Sequence, residues 1–71
     1  MEYNYYIIST KRLHEIELYF LALKKFKAEI MDIKAERISS HNILYIFKFI
    51  STEDTYKKIL KELHIKERRQ D

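Results

Sequence analysis

Seventy-one residues with a net charge of +3 and no cysteine, glycine or proline make one small domain that has neither a disulfide nor a glycine-lined phosphate loop. A chain this short buries only about 60 % of the surface its unfolded form exposes, so an isolated monomer is marginal and oligomerisation is the expected remedy. The opening residues lack the basic start and long apolar core of a secretory signal, and no apolar run reaches the roughly 18 residues of a membrane span; a soluble cytoplasmic protein without membrane contact is expected.

Tyr3 to Ser9, YNYYIIS, is rich in aromatic and β-branched residues and reads as a strand. Ser9 or Thr10 is placed to cap a following helix, whose inner stripe is Leu13, Ile16, Phe20 and Leu23 at helical spacing. Leu18, Leu21 and Ala22 lie off that stripe, so this helix is apolar on more than one face and implies burial beyond the monomer's own core. Residues 28–38 have two readings. A strand puts Met31, Ile33 and Ala35 on one face, whereas a helix would extend the first one through Phe26, Ile30 and Ile33. The strand is preferred, because the helix would leave a sheet of only two strands.

Ser39 to Asn42, SSHN, reads as a hairpin loop, with Asn42 the best candidate for positive φ where no glycine is available. Ile43 to Ile50 is the third strand. Tyr45, Phe47 and Phe49 point one way, towards the helices, and Leu44, Ile46, Lys48 and Ile50 the other. Ser51 or Thr52 caps the second helix, with Glu53 and Asp54 in its first turn and Tyr56, Ile59, Leu60 and Leu63 as its buried stripe. The expected fold is α+β: a truncated ferredoxin-like plait, β-α-β-β-α, with a three-stranded antiparallel sheet, the third strand central and two helices on one face. It forms a single domain over 1–65, followed by a polar basic tail over 66–71.

The stretches YYIIST and RISSHN, followed by a strand and a terminal helix, resemble a family of small selenium/sulfur carrier-like proteins. That family has an Arg-x-Ile-Ser-Ser-like turn leading into a Cys-Gly pair. Arg37, Ile38, Ser39 and Ser40 approximate the turn, while His41 and Asn42 stand where the family has Cys and Gly. The resemblance implies the fold but not the carrier activity, because the thiol is missing. ILYIFKFISTED also looks like the third strand and helix start of an RNA-recognition motif, whose open sheet face stacks bases on aromatics. Here that face carries Leu44, Ile46 and Lys48, which cannot stack a base, and the fourth strand is lacking.

No catalytic constellation stands out. Ser39, Ser40 and His41 are neighbours on a tight turn with no orienting carboxylate, which suits a polar turn better than an activated hydroxyl. His14 and Glu17 share a helix face, but two ligands are too few for a structural metal site. No cofactor and no metal are expected. Met1 to Tyr56 holds eight basic and eight acidic residues, so the charge excess lies in Lys57, Lys58, Lys61, Lys66, Arg68 and Arg69. These are the possible contacts to nucleic acid. Six tyrosines, three of them at Tyr3, Tyr5 and Tyr6 on the first strand, suit an interface. With the apolar set Leu44, Ile46 and Ile50 and the neighbouring Lys48, they mark the expected partner or dimer surface. The expectation is a non-enzymatic binding protein, a homodimer working through a protein partner, such as the small inhibitors or adaptors that phages and mobile elements encode. The alternative is a basic nucleic-acid-binding dimer.

Overall fold

The computed structural model describes residues 2–65. They run as β1 (Asn4–Thr10), a single 3-10 turn (Leu13–Glu15), α1 (Ile16–Lys25), β2 (Glu29–Ser39), β3 (Asn42–Ser51) and α2 (Glu53–Glu62). The strands form one antiparallel sheet in the order β1-β3-β2. Ile8, Phe47 and Phe49 of the sheet meet Tyr19 and Leu23 of α1 and Ile59 and Leu60 of α2 in one buried cluster, so both helices cover the same face. This is the truncated plait read from the sequence. Burying Phe47 and Phe49 fully on the central strand supplies most of the aromatic bulk of the core.

Residues 29–39 form a strand, and the reason lies at the end of α1. The Ala28 N–H reaches back to the Leu23 carbonyl at 2.9 Å and the Lys27 N–H to Lys24 at 3.1 Å, with Lys27 at φ 58°. That is a Schellman stop. The second helix ends the same way: the Ile65 N–H bonds Leu60 at 2.9 Å, the His64 N–H bonds Lys61 at 3.2 Å, and His64 has φ 57°.

Two local expectations are corrected. Asn42 does not take positive φ; among the described residues only Lys27 and His64 do. Asn42 instead begins β3, and its side-chain Nδ2 donates to Ser39 Oγ at 2.9 Å, closing the turn without glycine. The inner stripe of α1 is also rotated. Leu13 is 68 % exposed and Phe20 lies partly in solvent, whereas Tyr19, Ala22 and Leu23 are buried, with Ile16 and Phe26 packed beside them. The Thr10 hydroxyl donates to Glu15 Oε1 at 2.6 Å and accepts from the Arg12 N–H at 3.1 Å, holding the chain in a turn. A 3-10 turn over Leu13–Glu15 then precedes the α-helix, so Leu13 lies ahead of the helix proper. For α2 the cap is Thr52, which accepts from the Thr55 N–H at 3.2 Å, while Ser51 is buried at the end of β3.

Candidate interaction surface

The sheet face away from the helices has no layer over it among the described residues. The pairing register places three rows on it. Tyr5, Ile50 and Glu29 lie side by side, then Ile7, Lys48 and Asp32, then Ser9, Ile46 and Lys34, with Leu44 beside Glu36 beyond the end of β1. The expected set Leu44, Ile46, Lys48 and Ile50 therefore does share the uncovered face. The four differ in what they offer. Ile46 is only 9 % exposed, hemmed by Ser9 and Lys34 across the strands and by Leu44 and Lys48 along its own. The accessible apolar area lies on β1 instead, where Tyr5 is 74 % and Ile7 59 % exposed. Ile7 was not singled out from the sequence. Its signal was there, since it alternates in step with Tyr5.

The three N-terminal tyrosines part company. Tyr3 and Tyr5 are exposed, but Tyr6 points to the helix side. Its ring stacks on Tyr56 with centroids 4.0 Å apart and 8° between planes, and meets Phe49 at 5.9 Å. Tyr6 anchors α2 to the sheet and gives a partner little of its ring. On the other side of the molecule, Leu18 and Leu21 stand exposed on the outer face of α1, as the surplus apolar character of that helix implies.

Those two leucines border a groove of about 570 Å³ between α1 and the end of α2, whose far wall is Leu63. Its charged rim is largely neutralised from within, by Lys25 with Glu62 at 3.2 Å and Arg12 with Glu15 at 3.7 Å. A second, shallower hollow is lined by Phe26, Lys58, Lys61, Glu62 and His64. Lys58 and Lys61 thus share one site, while Lys57 is drawn to Glu53 at 3.3 Å one turn earlier. Lys66, Arg68 and Arg69 lie outside the described residues. Ser39, Ser40 and His41 sit exposed at the hairpin tip. Among the described residues no three His, Asp or Glu side chains gather as a metal site, and no helix is long and apolar enough to cross a membrane.

The environment of the Tyr19 phenol clearly moves its pKa. Burial raises its pKa, the nearby Glu15 carboxylate adds to the rise, and a hydrogen bond with Thr10 and the Arg12 charge oppose it. A phenol with its pKa raised in this way stays protonated and uncharged at neutral pH. Compared with known proteins, the chain matches no family model, no curated protein and no solved structure.

Proposed function

We propose that this is a non-enzymatic binding protein that acts in the cytoplasm as a homodimer through contact with another protein, in the manner of a small inhibitor or adaptor. The observation that supports it is the open sheet face: Tyr5 and Ile7 stand exposed beside Ile50 and Lys48, with no helix over them among the described residues. Small domains rarely leave apolar sheet surface uncovered unless something docks there. The exposed Leu18 and Leu21 on α1 supply a second apolar surface for a partner once the sheet is engaged.

The nucleic-acid reading has thinner support. Lys58 and Lys61 are available near Phe26, but Lys57 is engaged by Glu53 and no aromatic of the open face lies on the central strand. Light scattering at micromolar concentration, followed by affinity capture from host lysate with and without nuclease, tests the proposal. The expected result is a dimer that retains a stoichiometric protein partner after nuclease treatment. A monomer, or capture that vanishes with nuclease, overturns it.

A further inference from the structure

The two edges of the sheet are unlike. The outer edge of β2 carries Glu29, Asp32, Lys34, Glu36 and Arg37, and its pairing with β3 is interrupted by register shifts at Ile30/Asp32 and Arg37/Ser39. Charges and bulges of this kind are how sheet proteins keep an edge from recruiting another strand. The outer edge of β1 has neither. Asn4–Thr10, NYYIIST, holds no charge and no proline and pairs with β3 in unbroken register over all seven residues. An uncharged, aromatic and β-branched edge in unbroken register is the form that pairs with a further strand. Among the described residues, then, one edge of the sheet is shielded and the other is not.

We infer that β1 pairs antiparallel with β1 of a second copy, about a two-fold axis through Ile7, to make a continuous six-stranded sheet. This inference rests on the homodimer proposed above and says where its seam lies. The occupant follows from the composition of the strand. Because β1 is uncharged, self-pairing opposes no like charges, which would be destabilising if they faced each other. An axis perpendicular to the sheet through Ile7, the midpoint of the strand, is the placement that engages all seven residues, with roughly six to eight ladder hydrogen bonds. It sets Ile7 against the partner's Ile7, Tyr5 against the partner's Ser9 and Tyr6 against the partner's Ile8. Side-chain alternation keeps Tyr5 and Ile7 of both copies on the open face. Their exposed surfaces then join into one apolar strip across the seam, and the shielded β2 edges become the two ends of the assembly. The segment 66–71 is a poorer match for an uncharged edge, since Lys66, Glu67, Arg68, Arg69 and Asp71 are all charged.

The absence of cysteine from the chain makes the test direct. Opposed Cα atoms in an antiparallel pair lie about 4.5–5.5 Å apart, within disulfide reach. Under mild oxidation Ile7→Cys is expected to form a covalent dimer, and Met31→Cys, on the β2 edge, to stay uncrosslinked. Tyr5→Cys mixed with Ser9→Cys should crosslink to each other in preference to themselves. Ile7→Lys, at an exposed position, should give a folded monomer by circular dichroism and light scattering. A wild-type dimer in which Met31→Cys crosslinks and Ile7→Cys does not, or an Ile7→Lys protein that remains dimeric, overturns the β1 seam while leaving the homodimer in place. A wild-type protein that is monomeric at micromolar concentration overturns both.

Discussion

Tyr19 joins packing to proton binding in one side chain. Its ring lies against Phe47 with centroids 5.6 Å apart, and it is nearly inaccessible to solvent. Burial, reinforced by Glu15, raises its phenol pKa above the ordinary value of about 10. A raised folded-state pKa means that the native state holds its proton more tightly than the unfolded chain. The stabilisation is complete below the unfolded value and is lost as pH rises through the folded one. Tyr19→Phe removes the titration. Its stability deficit against wild type, measured by denaturant midpoint, is expected to be small at about pH 8 and to narrow or reverse at about pH 11. A deficit that does not change with pH would show that the phenol does not titrate with folding. From sequence alone Phe20 was given this inward place. The spacing of apolar residues is compatible with either phase, and the phase observed is the one that sets Tyr19 against Phe47 on the central strand.

Both helices end on a left-handed residue with a β-carbon. Lys27 and His64 occupy the position where glycine is usual, and each is followed by a residue that packs on the cluster near the helix end, Ala28 after α1 and Ile65 after α2. The left-handed conformation costs an ordinary residue about 1–2 kcal/mol that glycine does not bear, partly offset because glycine's unfolded chain is more mobile. Lys27→Gly and His64→Gly are therefore each expected to stabilise the protein by roughly 0.5–1 kcal/mol in chemical denaturation. Unchanged or lower midpoints would mean that the side chains contribute more than the backbone strain removes. These stops were hidden from a sequence reading because glycine, the usual marker, is absent from the whole chain. The start of α2 was legible, since Thr52 precedes Glu53 and Asp54 and caps in the expected way. The start of α1 was not, because Thr10 spends its hydroxyl on a turn and Glu15, at the cap position, makes no side-chain cap bond.

At the scale of the molecule, the element order and the central place of β3 were legible because Ile43 to Ile50 is too apolar for anything but a middle strand. Its inward side, Tyr45, Phe47 and Phe49, was legible by alternation. The accessible part of the open face was not, because how far Ile46 is shielded depends on which residues of β1 and β2 lie beside it, and that register is a tertiary fact.

The same register has a kinetic consequence. β3 meets β2 across the Ser40–His41 turn, but it meets β1 only after α1 and β2 have been laid down, with Asn4 opposite Ser51 at the far extreme. Local hairpins close in about 1–10 μs, whereas pairings distant in sequence must first overcome loop-closure entropy. The β2–β3 hairpin is thus expected to be formed in the folding transition state and β1 to dock after it. In stopped-flow experiments Ile30→Ala should slow folding, and Ile8→Val, buried in β1, should chiefly speed unfolding. The opposite pattern would place β1 in the nucleus. If β1 docks last, its bare edge is presented only by an already closed subunit, so two copies meet as folded partners and not as entangled chains.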